Sequence, residues 1–280
     1  MKLIDSHPEL TVLVQERRQH VLDLISRQGF ANLNDLARSL EVSESTLRRD
    51  LDYWQQKGLI KRVHGGALYT GDSASLPALE ERTGQQIAEK RAIARIAAGL
   101  IRDGDSILID GGTTTLELAR LLVHRPLQVV TNSVPIAQVF SNSRETDVVM
   151  LGGYVFPKTG VALGPLLMRM LEDIHVHRLL ISVSGITPKG LFNSNLLLVE
   201  SERSMMRRAD EVIVLADHTK FNRQALAHLC SLADVDTMIA DAGVPHDVRP
   251  WIEEAGIRLL LAPVNGNEEE SARDEFRRDD

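Results

Sequence analysis

The strongest constraint on the fold of this chain is an alternation of short apolar runs with helical segments between residues 105 and 261. Each apolar run is four or five residues long and rich in Val, Ile and Leu, which is typical of buried strands. Strands that alternate with helices predict a mainly parallel sheet with helices on both faces, a Rossmann-like α/β domain. The seven predicted strands are 106–109, 127–130, 147–151, 179–183, 212–216, 237–240 and 258–261.

A different pattern precedes this domain. Asn32 and Ser43 stand where they can cap a second and a third helix, and Gly58 stops the third. The predicted elements are helices over 16–28, 33–40 and 44–57, then strands over 59–63 and 67–70. A glycine-containing turn, His64-Gly65-Gly66, joins the two strands. Three helices followed by a hairpin predict a winged helix-turn-helix domain.

Composition and length agree with a globular protein of two domains. The chain has 280 residues, 43% of them apolar and 25% charged. No apolar run reaches the length of a membrane span and no secretory signal is evident, so we expect a cytoplasmic protein. Cys230 is the only cysteine, which excludes an intrachain disulfide and a thiolate metal site. We expect no metal and no cofactor.

Breaks in periodicity divide the chain into five predicted segments. Residues 71–84 lose the helical pattern and contain Gly, Ser and Pro, as linkers do, and the polar C-terminus is rich in charge. The segments are a flexible N-terminus at 1–15, the winged helix-turn-helix at 16–70, a linker at 71–84, the α/β domain at 85–264 and a disordered tail at 265–280.

The charge distribution favours a nucleic-acid interface in the first domain. The whole chain carries −7, whereas residues 16–70 carry nine Lys or Arg against seven Asp or Glu. The first turns of a recognition helix contact base edges, and a wing reaches the backbone. The predicted DNA-binding residues are Ser43, Ser45, Thr46, Arg48, Arg49, Lys61, Arg62 and His64. The alternative is a solvated helix face with Arg49 paired to Asp50 or Asp52.

In the second domain, residues 110–114 predict an anion site. The sequence Asp110-Gly111-Gly112-Thr113-Thr114 lies between a predicted strand and a predicted helix. Glycines let a phosphate approach the backbone, hydroxyls donate hydrogen bonds, and a helix N-terminus favours negative charge. The loop matches neither a Walker loop nor a dinucleotide fingerprint. The alternative is an ordinary strand-to-helix turn.

Further ligand residues are predicted at the carboxyl edge of the sheet, where open α/β sheets bind ligands. Asn132 and the pair Gly152-Gly153 follow predicted strands, Lys220 follows another, and Glu200 begins a helix. Lys220 alternatively pairs with Asp217 at the surface, and Glu200 alternatively only favours the helix dipole. The predicted ligand-binding residues are Asp110, Gly111, Gly112, Thr113, Thr114, Asn132, Gly152, Gly153, Glu200 and Lys220.

Motifs along residues 16–262 carry a family resemblance. In the first domain they are Glu16-Arg17-Arg18, the run from Val42 to Leu51 that contains Arg48-Arg49-Asp50-Leu51, Gly58-Leu59-Ile60 and Arg62-Val63-His64-Gly65-Gly66-Ala67. In the second they are Glu89-Lys90, Asp110 to Thr114, Thr131-Asn132, Gly152-Gly153, Gly185-Ile186, Asn195, Glu200 and Ala216-Asp217-His218-Thr219-Lys220. The chain resembles the DeoR-type bacterial transcriptional regulators. It departs from the usual residues of that family at His177, Ser182 and Asn222.

This resemblance implies a repressor of a carbohydrate-metabolism operon, and not an enzyme. The expected partners are double-stranded operator DNA, a phosphorylated sugar that relieves repression, and further copies of the chain in a dimer or tetramer. The sensor domain is expected to resemble ribose-phosphate isomerases and CoA transferases, with residues 85–101 as the lever that couples ligand to DNA. The alternative is a sugar-phosphate isomerase with a fused DNA-binding module, in which Asp110, Glu200 and Lys220 would supply the acid and base.

Overall fold

The computed structural model describes residues 8–28, 30–63, 65–69 and 79–264, which fall into two units, Met1–Ser75 and Leu76–Asp280. His64, residues 71–78 of the predicted linker and the predicted tail at 265–280 lie outside the described residues. The first unit comprises α1 (Pro8–Gln28), β1 (Phe30–Asn32), α2 (Leu33–Ser39), α3 (Glu44–Gln56), β2 (Ile60–Val63) and β3 (Gly66–Tyr69).

The first unit is a winged helix-turn-helix, as the sequence predicts. The Asn32 side chain accepts a hydrogen bond from the backbone N–H of Asn34 at the start of α2 (2.9 Å), and Ser43 Oγ accepts one from Thr46 at the start of α3 (3.2 Å). Gly58, at φ 73°, allows the chain to turn out of α3 toward the wing. The buried side chains of the three helices and the wing form one core, which includes Val21, Ile25, Leu47, Leu51 and Ile60.

Two features of this unit differ from the prediction. Residues 8–15, which the sequence assigns to a flexible N-terminus, are helical instead, because α1 begins at Pro8 and meets no helix breaker before Gly29. The strand β1 is also unexpected. It pairs antiparallel with β3 and completes a three-stranded sheet in the order β1-β3-β2. A strand of three residues is too short for the alternation of apolar and polar side chains to be recognised in the sequence.

The second unit is larger and contains helices and strands in alternation. Its helices are α4 (Leu79–Thr83), α5 (Ile87–Leu100), α6 (Thr113–Leu122), α7 (Val134–Phe140), α8 (Pro165–Glu172), α9 (Leu196–Met206) and α10 (Arg249–Glu254). Its strands are β4 (Ser106–Ile109), β5 (Gln128–Thr131), β6 (Asp147–Met150), β7 (Tyr154–Phe156), β8 (Val161–Leu163), β9 (Val176–Ser182), β10 (Gly185–Thr187), β11 (Gly190–Asn193), β12 (Ala209–Ala216), β13 (Ala227–Cys230), β14 (Thr237–Asp241) and β15 (Arg258–Ala262). The helix α4 lies within the predicted linker.

The centre of this unit is a seven-stranded sheet that is parallel throughout, in the order β15-β14-β12-β9-β4-β5-β6. Successive side chains of β9 point to opposite faces. Leu179 and Ile181 pack in a core with α8, α9 and α10, whereas Leu180 packs in a second core with α5, α6 and α7. Each of the seven strands overlaps a predicted strand, which confirms the Rossmann-like α/β prediction.

The strand order identifies the place where a ligand is expected. From β4 the chain proceeds to β5 and β6 on one side, and it then returns to build β9, β12, β14 and β15 on the other side. The carboxyl ends of β4 and β9 therefore diverge into loops that leave in opposite directions. Such a switch point leaves a crevice at the carboxyl edge of an open α/β sheet.

Smaller elements of the second unit were not evident from the sequence. They are the hairpin β7-β8, the antiparallel sheet β10-β11-β13 and the helix α8. Within the described residues no helix has the length and apolar character that a membrane crossing requires.

Candidate functional site

A cavity of about 470 Å³ opens at the switch point. The loops after β4, β9 and β12 line it together with residues that precede or begin α5. Its charged and hydroxyl-bearing lining side chains include Arg82, Lys90, Lys220 and Arg223, the pair Thr113 and Thr114, and Asp217. We call it the basic cavity, because four cationic side chains face one carboxylate.

The loop 110–114 is packed so closely that a side chain at either of its two glycines would force neighbouring side chains to move. A Cβ on Gly111 would lie 2.0 Å from Val161, and a Cβ on Gly112 would lie 1.7 Å from Ser182 Oγ at the end of β9. The hydroxyl of Thr115 fixes the turn, since it donates to the Asp110 carbonyl (2.6 Å) and accepts from the Gly112 N–H (2.8 Å). The loop therefore presents the N-terminus of α6 in a fixed position.

Thr113 and Thr114 are the first two residues of α6, and both line the basic cavity. Their side chains are buried, yet within the described residues their hydroxyls make no hydrogen bond. The free N–H groups of the first helical turn lie beside them. Two unused hydroxyls at a helix N-terminus form an arrangement suited to a phosphate group.

The cations of the basic cavity come from α4, α5 and the loop after β12. Lys220 follows β12 and lies 3.8 Å from Asp217, so the lysine both faces the cavity and makes the ion pair given above as its alternative role. Lys90, on α5, is buried, and its ammonium donates to the backbone carbonyls of Arg82 (2.6 Å) and Gln85. Burial lowers the pKa of Lys90 to about 8. An anion beside Lys90 would restore the pKa that burial lowers.

The approach to α5 is conformationally unusual. Gln86 has φ 51°, in the left-handed region that non-glycine residues seldom adopt, and it lines the basic cavity. Arg82 lines the cavity as well, and within the described residues its Nε and Nη2 are buried without a hydrogen-bond partner. The segment just before α5 thus carries both backbone strain and unpaired donors.

A second cavity, of about 40 Å³, shares Arg82 and Ser182 with the basic cavity. We call it the acidic cavity, because the carboxyl groups of Asp110 and Glu202 line it. Asp110 follows β4 and accepts hydrogen bonds from the Ser182 backbone N–H (3.3 Å) and hydroxyl (3.4 Å). Glu202 lies on α9. Gly111 and Gly112 also line this smaller cavity.

The other predicted ligand residues lie elsewhere. Asn132 is buried after β5, where its amide donates to the Ala162 carbonyl (3.0 Å), and Gly152 and Gly153 follow β6. Their strands lie one and two places from β4, and none of these three residues lines either cavity. Glu200 is exposed on α9, whereas Glu202 faces inward. A ligand role for these four residues remains a prediction.

Sequence reasoning missed several cavity residues. Lys90 and Asp217 were visible as parts of family motifs, but nothing in the sequence marked them as lining residues. Ser182 was evident only as a departure from a common glycine. Arg82, Arg223 and Glu202 carried no signal, because a lone charged residue in a helix or loop is typical of a solvated surface.

Most of the predicted DNA-binding residues are exposed on α3 and the wing. Ser45, Arg48 and Arg49 are exposed on α3, and Lys61 and Arg62 are exposed on the wing strand β2. Arg48 is held by Glu44 (3.1 Å), and Arg62 forms an ion pair with Asp52. The ion pair of Arg62 with Asp52 connects the wing with α3.

The alternative partners of Arg49 are occupied by other arginines. Asp50 is buried and binds Arg17 (2.6 Å) and Arg18 (3.0 Å) of α1, while Asp52 binds Arg62. Within the described residues Arg49 therefore makes no side-chain ion pair. Its guanidinium is available on the exposed face of α3, and its contact with DNA stays a prediction.

Comparison with protein families assigns both units. Residues 17–72 match the DeoR-like helix-turn-helix domain, and residues 85–242 match the DeoR C terminal sensor domain. The chain belongs to the DeoR family of transcriptional regulators. This membership confirms the resemblance stated from the sequence motifs, and it supports a regulator over the alternative of an isomerase enzyme.

Similar members of the DeoR family match along nearly their whole length. The HTH-type transcriptional regulator YulB of Bacillus subtilis is 31% identical over 91% of this chain and 99% of its own. The HTH-type transcriptional repressor CsqR of Escherichia coli is 32% identical over 88% and 94%. The glycerol-3-phosphate regulon repressor of Escherichia coli is 29% identical over 88% and 98%.

Among solved structures, ribose 5-phosphate isomerase A from Neisseria gonorrhoeae is similar to the chain at 14% identity and a TM-score of 0.36. The similarity covers 47% of this chain and 52% of the isomerase.

Proposed function

We propose that this DeoR-family protein is a repressor of a carbohydrate-metabolism operon and that a phosphorylated sugar or related metabolite relieves repression. The basic cavity carries the proposal. Thr113 and Thr114 offer unused hydroxyls at the N-terminus of α6, and four cationic side chains surround the same space. A dianionic phosphate would satisfy these donors and balance this charge. The name of the glycerol-3-phosphate regulon repressor is consistent with such a ligand.

In this proposal the first unit binds the operator. The exposed side chains of α3 enter the major groove, and Lys61 and Arg62 of the wing contact the backbone. A single winged helix-turn-helix domain contacts few base pairs, so the protein would act as a dimer or tetramer on related half-sites. The effector must favour one arrangement of the winged helix-turn-helix domains over another, since a ligand with equal affinity for both arrangements does not shift the equilibrium between them.

Thermal melting of the full chain tests the phosphate part of the proposal. The additives are inorganic phosphate, a panel of sugar and polyol monophosphates, and the same sugars without phosphate. We expect the matching monophosphate to raise the melting temperature and the unphosphorylated sugar to have no effect, because binding stabilises the folded state by mass action. Equal stabilisation by both forms, or by neither, would refute a phosphate site.

Lys220→Met provides a matched variant for the same experiment. The substitution removes the ammonium group and keeps a side chain of similar length. Asp217, the ion-pair partner of Lys220, retains the hydrogen bond from the Thr219 backbone N–H (3.0 Å). We expect stabilisation by the monophosphate to decrease and unliganded operator binding to stay near that of the wild type. Arg258→Met, at the amino end of β15 and outside both cavity linings, is the charge control.

A further inference from the structure

The acidic cavity contains more unpaired polar atoms than a structural turn requires. Glu202 is 3% exposed and Thr159 is 3% exposed, and both line the cavity. Within the described residues, Glu202 Oε2, Thr159 Oγ1 and Ser194 Oγ are buried without a hydrogen-bond partner. Buried polar atoms are normally paired. Three such atoms around one small space indicate that a polar group occupies it when the protein is in use.

The contacts of Glu202 show what kind of group that is. Its Oε1 accepts a hydrogen bond from Asn193 Nδ2 (2.5 Å). Burial and the neighbouring Asp110 raise the pKa of Glu202 well above its usual range, which favours the protonated carboxyl. Oε1 is already engaged by Asn193, so Oε2 is the oxygen left without a partner. In the protonated form, Oε2 offers an O–H donor to the cavity.

Asp110 supplies the complementary acceptor. Burial raises the pKa of Asp110 to about 6, and the Arg82 guanidinium on the same cavity favours its ionised form. The cavity thus has hydroxyl donors and one carboxylate acceptor in close proximity. A group that both donates and accepts, such as an alcohol, satisfies the two kinds of partner at once.

We infer that the acidic cavity binds a hydroxyl group of the effector, at the end remote from the phosphate. This inference rests on the proposed function, since it places the phosphate in the basic cavity. The acidic cavity is small, about 40 Å³ against about 470 Å³ for the basic cavity, which suits a hydroxyl group. The Asp110 carboxylate also repels a second anion. The effector is therefore a monophosphate of a sugar or polyol with an unmodified hydroxyl at its far end.

The test uses the full chain and calorimetric titration with three kinds of probe. They are inorganic phosphate, the monophosphate that most stabilises the wild type among glycerol 3-phosphate, ribose 5-phosphate and fructose 6-phosphate, and the analogue of that compound with a second phosphate at its far end. The variants are Thr159→Val, Ser194→Ala and Glu202→Met. Thr237→Val is the control, because Thr237 is a buried threonine at the opposite, amino end of β14.

We expect Thr159→Val and Ser194→Ala each to weaken the monophosphate about two- to tenfold, as loss of one hydrogen bond does, and to leave inorganic phosphate unchanged. These hydroxyls have no protein partner to lose, so both variants should fold. Glu202→Met should weaken the monophosphate at least as much, and Glu202→Gln should restore it, because glutamine keeps an acceptor for Asn193 and a donor toward the cavity.

Two results separate the inference from the proposed function. If the monophosphate binds all cavity variants as tightly as it binds the wild type, or if the doubly phosphorylated analogue binds equally well, the hydroxyl site is refuted while the phosphate site stands. If neither inorganic phosphate nor any monophosphate of the panel binds the wild type, the proposed function and the inference both fail.

Discussion

The double variant Thr113→Val/Thr114→Val removes two hydroxyls from the basic cavity and leaves the fold intact. Valine keeps the β-branched shape that α6 accommodates at these positions, and within the described residues neither hydroxyl bonds to the protein. The unliganded variant should therefore melt within a few degrees of the wild type. Its operator affinity without ligand should also be unchanged.

The expected loss of ligand affinity is large. A hydrogen bond to a charged group contributes about 1.5–3 kcal/mol, and two bonds to one phosphate are not fully additive. A combined loss of about 1.5–4 kcal/mol corresponds to a Kd that is weaker by roughly tenfold to a thousandfold. Calorimetric titration with the monophosphate that stabilises the wild type measures this ratio.

A contrasting variant and a clear refutation accompany this measurement. Thr115→Val removes the hydroxyl that joins Asp110 and Gly112, so it should destabilise the domain, unlike the double variant. If Thr113→Val/Thr114→Val binds the monophosphate with wild-type affinity, the loop 110–114 is only a structural turn.

Three further predictions follow from individual contacts. The pKa of Lys90 is lowered to about 8, and a bound phosphate favours the protonated form of this lysine. Phosphate binding should therefore take up a proton, and the affinity should weaken by up to about tenfold per pH unit above pH 8. Titrations in buffers of different ionisation enthalpy measure this proton uptake, which Lys90→Met should abolish. Arg49→Ala should abolish specific operator binding in a gel-shift assay with no change in melting temperature, since Arg49 has no ion-pair partner among the described residues. Normal binding by this variant would contradict the assignment of α3 to the DNA interface. Asp50→Ala should destabilise the first unit by about 1–3 kcal/mol in chemical denaturation, because it leaves the partly buried Arg17 and Arg18 without the carboxylate that they share.

The central part of the fold was predictable because several local signals agreed. The central strands of the parallel sheet are buried on both faces, so they appear as unbroken apolar runs such as 212–216. Asn32 and Ser43 marked helix starts through their side-chain chemistry, and both cap helices in the structure. The strands β10 and β11 could not be predicted because these short segments become strands only by pairing with each other and with β13. Leu191 of β11, for example, pairs with Cys230 of β13, which is distant in the sequence.

The site was predictable only where chemistry and position coincide in the sequence. The loop 110–114 combines glycines, hydroxyls and a helix start, and Lys220 lies in the loop after a predicted strand. Glu200 and Glu202 illustrate the limit. Residues two positions apart in the sequence lie about 200° apart around a helix axis. The packing of α9 against the sheet therefore decides which of the two carboxylates is buried.

Titration of a protein–operator complex with the sugar monophosphate tests the central claim most directly. The labelled DNA is an operator fragment selected with the full chain, and fluorescence anisotropy reports its release. We predict that the monophosphate releases DNA from the wild type, and that Thr113→Val/Thr114→Val needs a ligand concentration higher by the same factor as its loss of binding affinity. Release of both proteins at the same concentration would contradict the assignment of the basic cavity as the effector site.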